Sequence, residues 1–168
     1  MASQKTLQDL LHDTLKDIYY AERQILKALP KMRRAAQSEE LKAAFEQHQH
    51  ETEGQVDRLN RVFEALGKSP RGKTCEAIEG IISEGEEIIE AFQGTAALDA
   101  GLISSAQAVE HYEIARYGTL KRWAEELGKG DIAALFDETL QEEMKTDTHL
   151  SKLAMDGANQ RAKERQAA

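Results

Sequence analysis

The segment VEHYEIARYGTL, residues 109–120, contains two glutamates three residues apart, Glu110 and Glu113. On an α-helix, residues at this spacing lie on nearly the same face. That face also carries Val109 and Leu120, so the carboxylates point toward the apolar side of their own helix. A buried carboxylate is unfavourable unless it is protonated, hydrated, paired with a cation or bound to a metal ion. The pair fits either an ion-paired core or a metal site, and the other helices help to distinguish the two.

Each of the other long helices also places polar side chains on or beside its apolar stripe. These are Glu22 on the first helix, His48 and Glu51 on the second, and Glu143 and Asp147 on the fourth. Glu22, Glu51, Glu113 and Glu143 together carry four negative charges, which would balance two divalent ions. Carboxylate and imidazole ligands together suit iron, manganese or zinc.

The predicted hairpins also place several of these acids at matching heights. In an antiparallel hairpin, residues equidistant from the turn lie level. Glu22 and Glu51 are centred on residues 36 and 37, in the first turn, and Glu113 and Asp147 are centred on residue 130, in the last. Glu143 lies about one helical turn from that level. The pattern predicts that the acids meet near the middle of a helical bundle.

The pattern departs from the usual di-metal motif of helical bundles, in which two helices each carry Glu-x-x-His. The segment HQHE places His48 before Glu51, and EEMKTD has Thr146 or Asp147 where a histidine is expected. The predicted site is therefore richer in oxygen ligands than usual.

Two alternatives remain open at this level. Glu142 can replace Glu143 as the ligand on the fourth helix. Arg116 lies on the stripe of the third long helix and can neutralise Glu143 directly. The inner acids would then be neutralised by Arg116, His48 and water, in a non-catalytic dimeric helical protein that acts in stress through its partners.

The apolar periodicity predicts an all-α chain. We expect helices over about 5–34, from the turn at 37–38 to Leu66, over 76–92, over 96–127 and from Asp131 to 158. Pro30 should bend the first helix or end it early. Two hairpins with a long connection indicate a ferritin-like four-helix bundle, in which the crossover carries the accessory helix 76–92. Residues 1–158 form the predicted single domain, and the polar residues 159–168 form a tail that frays.

The composition limits the classes of function that the protein can have. The 168 residues include 22 basic and 30 acidic side chains, a net charge of −8, which disfavours general nucleic-acid binding. Cys75 is the only cysteine, which fits a reducing cytoplasm and excludes an internal disulfide. The amino-terminal segment shows no signal peptide, and no apolar run approaches the roughly 20 residues that span a bilayer. We predict a cytoplasmic protein that binds neither membrane nor nucleic acid.

The sequence resembles the YciE/YciF family of bacterial ferritin-like stress proteins over nearly its whole length. The resemblance is carried by DIYYAERQILKALPKM (17–32), HQHETEGQVDRL (48–59), CEAIEGIISEGEEIIE (75–90), AQAVEHYEIARYGTL (106–120) and ETLQEEMKTD (138–147).

This resemblance implies a rubrerythrin-like bundle, a homodimer and a di-metal centre, with an activity that is poorly defined. The ligands it implies are Glu22, Glu51, Glu110, Glu113 and Glu143, together with His48 and Asp147. Iron is the metal expected first, with manganese or zinc as alternatives, and the chemistry would involve peroxide or dioxygen. The Cys₄ part of rubrerythrins is absent, because Cys75 stands alone. An electron donor would therefore be a separate protein.

Overall fold

The computed structural model describes residues 4–164, and the regular elements in this range are all helical. They are α1 (Leu7–Ala35), α2 (Glu39–Ala65), α3 (Glu76–Phe92), α4 (Leu98–Glu126), α5 (Gly130–Leu153), a π-helical segment (Ala154–Ala158) and α6 (Asn159–Lys163). The expected all-α fold is confirmed.

Local sequence signals explain where the long helices begin and end. Thr6 and Asp9 form a capping box at the start of α1, in which the Thr6 backbone N–H donates to Asp9 Oδ2 at 2.9 Å. At the end of α2, Gly67 adopts a φ of 64°, which only glycine reaches without strain. The Lys68 N–H then donates to the Phe63 carbonyl at 2.9 Å, and this closes the last turn of α2. Pro30 does not end α1, which continues to Ala35.

The long helices pack as a four-helix bundle. α1 packs against α2, and α4 packs against α5, each pair forming an antiparallel hairpin. The hairpins meet where α2 contacts α5 and where α1 contacts α4, while the accessory helix α3 packs against α1 and α4. This is the predicted bundle with one long crossover.

A buried aspartate shows the relative direction of α2 and α4. Asp99, in the first turn of α4, accepts hydrogen bonds from the backbone N–H groups of Gln37 (2.7 Å) and Ser38 (2.9 Å), just before α2 begins. Both helices therefore start at the same end of the bundle and run parallel, as a long crossover requires. Asp99 is 2% exposed, so it joins the two hairpins inside the protein.

Apolar side chains fill the bundle on both sides of its middle. Leu11, Leu15 and Phe63 lie toward one end, and Leu29, Leu41 and Leu102 lie toward the other; all are at most 3% exposed. Burial of such a side chain contributes about 1.5–3 kcal/mol, so these two layers stabilise the bundle. The layer between them is polar.

The carboxyl-terminal helix differs in detail from the prediction. α5 begins at Gly130 rather than Asp131 and passes into the π-helical segment at Ala154. Residues 159–163, the start of the predicted tail, form α6, which contacts α4. Residues 165–168 lie outside the described part, and the division of the chain at residue 158 stays a prediction. Between residues 4 and 164, no helix is long and apolar enough to cross a membrane.

Candidate metal centre

The middle of the bundle contains a layer of buried acids and one histidine. The layer consists of Glu22 from α1, His48 from α2, Glu110 and Glu113 from α4, and Glu143 from α5. Each is at most 4% exposed. Their positions follow from the helical period, because each lies on the stripe that its helix turns toward the bundle axis.

Four of these residues converge closely. His48, Glu110, Glu113 and Glu143 each offer one ligand atom, and the four atoms lie within 4.8 Å of one another. His48 Nε2 is 3.2 Å from Glu110 Oε1. Glu22 adjoins Glu113 on the α1 side of the layer. The structure thus brings together five of the seven residues predicted from the sequence.

Many polar atoms in this layer have no hydrogen-bond partner. Both ring nitrogens of His48, both carboxylate oxygens of Glu113, and Oε2 of Glu22, Glu110 and Glu143 are buried and form no hydrogen bond. The 3.2 Å approach of His48 Nε2 to Glu110 Oε1 lacks hydrogen-bond geometry. Native proteins leave few buried polar atoms unsatisfied, so a concentration of them in one layer requires an explanation. Nearly all are acceptors, and acceptors can be satisfied by protons or by cations.

The pKa values show how unfavourable the ionised layer is without a cation. Burial, followed by repulsion from Glu143, raises the pKa of Glu22 to about 8. Burial also raises the pKa of Glu143 to about 7, and it raises the pKa values of Glu110 and Glu113 well above the ordinary range. When protonated, Glu113 can donate to Glu22 and Glu110 can donate to Glu143. Burial lowers the pKa of His48 to about 4, which keeps its imidazole neutral and able to bind metal.

Two neutral side chains donate hydrogen bonds into the layer from its edges. The hydroxyl of Tyr117 donates to Glu22 Oε1. The side-chain amide of Gln55 donates to Glu143 Oε1, and also to Glu142 Oε2 at 3.0 Å. Both donors are 0% exposed, so they orient the carboxylates without adding charge.

Cations pair with the acids beside the layer rather than within it. Arg58 lies 2.9 Å from Glu142 and 2.8 Å from Glu138, and also donates to Thr139 Oγ1. Glu142 is thereby ion-paired and partly exposed at the edge of the layer, whereas Glu143 is fully buried, so the structure favours Glu143 as the inner acid of α5. Between residues 4 and 164, no lysine or arginine forms an ion pair with Glu22, Glu110, Glu113 or Glu143, and Arg58 pairs only with acids outside the layer.

Arg116 does not occupy the position that the ion-pair alternative requires. Its guanidinium lies over the ring of Tyr112, 5.0 Å from the ring centroid, and hydrogen bonding to Tyr112 raises its pKa. Among the described residues its neighbours are Tyr112, Asp17 and Cys75, and it forms no ion pair with Glu143. The alternative in which Arg116 neutralises Glu143 does not hold, because the guanidinium lies over Tyr112 instead.

Glu51 and Asp147 lie at the margin of the layer. Glu51 accepts hydrogen bonds from Gln47 Nε2 (2.8 Å) and Thr146 Oγ1 (3.3 Å), and remains close enough to Glu143 to raise its pKa. Asp147 accepts from Gln107 at 3.1 Å and lies 3.1 Å from His111 Nε2. Neither belongs to the converging group of four, and their role as ligands stays a prediction.

Two residues of the site were missed by the sequence analysis. Tyr117 follows Glu113 by four residues on the same face, a spacing that could have indicated its role. Arg58 follows Gln55 by three on a largely apolar stripe, and a buried arginine requires acidic partners. Those partners lie on α5, so only the packing of α2 against α5 identifies them.

The donor set fits hard or borderline divalent metal ions. It consists of four carboxylates and one neutral imidazole, in a layer without an internal cation and with unpaired acceptors. Such ligands suit iron, manganese or zinc. The fit rests on the chemistry of the residues present.

Comparison with known proteins identifies the family of this chain. Residues 6–163 match the model of a family described as a domain of unknown function, DUF892. Protein YciF of Escherichia coli K12 is 46% identical over 160 residues, which cover 94% of this chain and 96% of YciF.

Two solved structures match with both sequence and fold. The crystal structure of the E. coli stress protein YciF has a TM-score of 0.88 and 44% identity, covering 93% of this chain and 99% of that chain. YcfI from Rhodopseudomonas palustris, for which a structural role has been suggested, has a TM-score of 0.86 and 47% identity, covering 89% of this chain and 96% of that chain. The chain therefore belongs to the DUF892 family and is a relative of the E. coli stress protein YciF.

Proposed function

We propose that this stress protein binds two divalent metal ions, iron or manganese, in the polar layer of its bundle. Glu22, Glu110, Glu113 and Glu143 would hold the ions together with His48. Their four negative charges balance two divalent cations. Glu51 and Asp147, at the margin of the layer, are the further predicted ligands.

A pair of redox-active ions in this layer would supply electrons for the reduction of dioxygen or peroxide. The chain itself contributes the environment. Tyr117 and Gln55 orient two of the carboxylates, and the apolar layers on both sides exclude bulk water. Electrons would come from a separate donor protein.

The observation that carries this proposal is the set of unpaired acceptors. Seven buried carboxylate and imidazole atoms in one layer have no partner, namely Glu22 Oε2, His48 Nδ1 and Nε2, Glu110 Oε2, Glu113 Oε1 and Oε2, and Glu143 Oε2. An ordinary bundle core would use apolar side chains here at lower cost. One metal ion can satisfy several of these atoms at once, whereas one shared proton pairs only two of them.

A second candidate is a non-catalytic structural or interaction protein whose inner acids stay protonated. It is favoured by the raised pKa values of Glu22 and Glu143 and by the structural role suggested for YcfI. The ion-paired form of this alternative is weakened, because Arg116 lies elsewhere and burial keeps His48 neutral.

The experiment that separates the candidates combines metal analysis with thermal unfolding. Protein purified without chelator should contain about two iron or manganese ions per chain, because four carboxylates balance two divalent charges. At a pH high enough to ionise the metal-free layer, Glu113→Gln should stabilise the metal-free protein, since one repelling charge is lost, and it should destabilise the metal-loaded protein, since one ligand is lost.

Glu125→Gln is the matched control, because Glu125 lies on the same helix at the surface. Its effect should stay within about 0.5 kcal/mol in both forms. A wild-type melting temperature that responds to no divalent ion would reject the metal site and leave the protonated, non-catalytic candidate.

We also propose that the protein is a cytoplasmic homodimer. Among the described residues, Leu10, Phe92, Met144 and Met155 are exposed apolar side chains, and Phe92 ends the accessory helix at 44% exposure. The accessory helix α3 is too small to bury all of its apolar surface against the bundle, so the remainder is available for contact with a second chain. Light scattering at micromolar concentration should give twice the chain mass of 18.8 kDa, whereas a monomer would contradict the proposal.

A further inference from the structure

A narrow cavity lies between α1, α3 and α4 and ends at the polar layer. Its walls are mostly apolar and are formed by Ile25, Met32, Ile82, Ile89, Ala106 and Val109. At its inner end are His48 and Glu110, which belong to the candidate metal centre. The site described above does not account for this cavity.

The outer end of the cavity reaches the surface beside an ion pair. Lys31 of α1 and Glu86 of α3 line this end, and Lys31 Nζ lies 2.8 Å from Glu86 Oε1. Both side chains are about half exposed, at 49% and 52%. Exposed pairs of this kind are weak and exchange readily with water, so they do not seal the opening. The cavity therefore connects the surface with one face of the polar layer.

The size of the cavity restricts what it can hold. The space available to the centre of a water-sized sphere is about 30 Å³, whereas one water needs roughly 10–15 Å³ on that measure. A molecule of two or three heavy atoms fits this space, and an acyl chain or an aromatic ring does not.

The walls restrict its occupant further. Ser105 Oγ is a buried hydroxyl on the wall with no hydrogen-bond partner, and the other polar groups stand at the two ends. Buried waters are held by two to four polar partners, so this wall offers too few side-chain groups for a water chain. Hydrogen peroxide would lose most of its hydrogen bonds on entry, whereas dioxygen has none to lose.

We propose that this cavity is a binding and entry site for dioxygen, which it leads to the His48–Glu110 side of the metal centre. The assignment of dioxygen as a substrate rests on the proposed function above, and it selects dioxygen over peroxide. The binding site itself is a property of the apolar walls and does not require metal. Binding of dioxygen can therefore be tested on metal-free protein, and its role as the substrate is tested by the metal analysis described above.

Xenon is the first probe, because it is an apolar atom that occupies dry apolar cavities. Metal-free crystals pressurised with xenon should show a xenon atom between Ile82 of α3 and Ala106 of α4. Ala106→Leu places three further carbons in that space and should abolish the xenon site. Ala108→Leu makes the same change on the exposed side of α4 and should leave xenon bound.

A milder pair of variants serves if Ala106→Leu fails to fold. The Cβ atom of Gly85→Ala would lie 3.5 Å from Ser105 Cβ, an ordinary contact, and would narrow the cavity. Gly80→Ala lies on the same helix with nothing within 4 Å of its added Cβ. Xenon occupancy should fall in the first variant and stay at the wild-type level in the second.

Dioxygen itself is the second probe. Dissolved under pressure, paramagnetic dioxygen should broaden the methyl resonances of Ile82, Ile89 and Val109 more than those of Leu10, which is 49% exposed. Hydrogen peroxide at the same concentration should leave their chemical shifts unchanged.

Several results would overturn the inference. Ordered water throughout the cavity, no xenon in wild-type crystals, or equal broadening of buried and exposed methyl groups would each do so. If these results occur while metal analysis finds two ions, the proposed function stands and the entry site is wrong. If xenon and dioxygen bind but no metal does, the cavity is confirmed as a binding site and dioxygen loses its role as the substrate.

Discussion

The hydroxyl of Tyr117 on α4 donates a hydrogen bond to Oε1 of Glu22 on α1, and both residues are 0% exposed. This bond lowers the pKa of Glu22, against the larger effect of burial, which raises it to about 8. Tyr117 is thus one of the few groups that stabilise an ionised carboxylate in the polar layer. It also joins the two helices that enclose the layer on one side.

Replacing Tyr117 with phenylalanine should destabilise the metal-free protein by about 1–3 kcal/mol, because it removes a buried partner of Glu22. The loss should be larger at pH 9 than at pH 6, since the phenol stabilises the ionised form. Urea unfolding measures both values. Tyr20→Phe, which removes a surface hydrogen bond to Glu79, should change stability by no more than about 0.5 kcal/mol. Equal costs for the two variants would contradict the special role of Tyr117.

The metal-free protein should lose stability as the pH rises from 6.5 to 8. Glu22 and Glu143 have folded pKa values of about 8 and about 7, against an ordinary value of 4.5. In this window the unfolded chain has already released protons that the folded chain still holds. Each such proton lowers the free energy of unfolding by about 1.4 kcal/mol per pH unit, until the pH passes the folded pKa.

The predicted loss of stability begins only at pH 6.5, because below this pH the titration of His48 changes the free energy of unfolding in the opposite direction. Its folded pKa of about 4 lies below the ordinary 6.5, so its contribution to stability rises with pH between these values. The metal-loaded protein should instead lose stability as the pH falls, since protons compete with the ions for the carboxylates. Denaturant unfolding at several pH values, with and without chelator, checks both signs. The same slope in both forms would contradict metal binding by this layer.

Two adjacent glutamates on α5 should respond differently to the same change. Glu143→Gln should reduce metal content, because Glu143 belongs to the converging group. Glu142→Gln should leave metal content unchanged, because Glu142 pairs with Arg58 at 2.9 Å. It should still destabilise the protein by about 1–3 kcal/mol by weakening a partly buried charged hydrogen bond. Plasma mass spectrometry and urea unfolding of both variants make the comparison, and loss of metal from Glu142→Gln alone would reverse the assignment.

The connection between the hairpins should depend on Asp99. Asp99→Ala leaves the backbone N–H groups of Gln37 and Ser38 without their buried acceptor. We expect a loss of about 1–3 kcal/mol in the free energy of unfolding. Asp131→Ala is the control, since Asp131 is an exposed acid in the first turn of α5. A change at Asp99 no larger than at Asp131 would show that the bundle does not need this link.

The helices and their inward faces could be predicted from the sequence alone. Apolar residues at steps of three and four specify which side of each helix is buried, and Glu22, Glu113 and Glu143 lie on those sides. The stop at Gly67 is local as well, because only a few residues determine it. These features depend on the helical period and backbone conformation, both of which a short segment encodes.

The membership of the polar layer depended on tertiary packing. Asp147 was predicted from its height, which matches that of Glu113, yet it faces Gln107 and His111. It lies four residues after Glu143, and each such step turns a side chain by about 40° and moves it about 6 Å along the helix. A small rotation of α5 against α4 therefore decides which acid enters the layer.

Contacts between helices also determine which charged side chains form ion pairs. Arg116 shares a helix with the inner acids, but its guanidinium lies over Tyr112. Arg58, from α2, neutralises Glu142 of α5. The sequence by itself determined that acids face inward and how they are spaced along each helix. Only the packing determined which acids find a cation and which remain unpaired, because a side chain's partners lie on helices distant in sequence, and their distances depend on how those helices rotate and slide against one another.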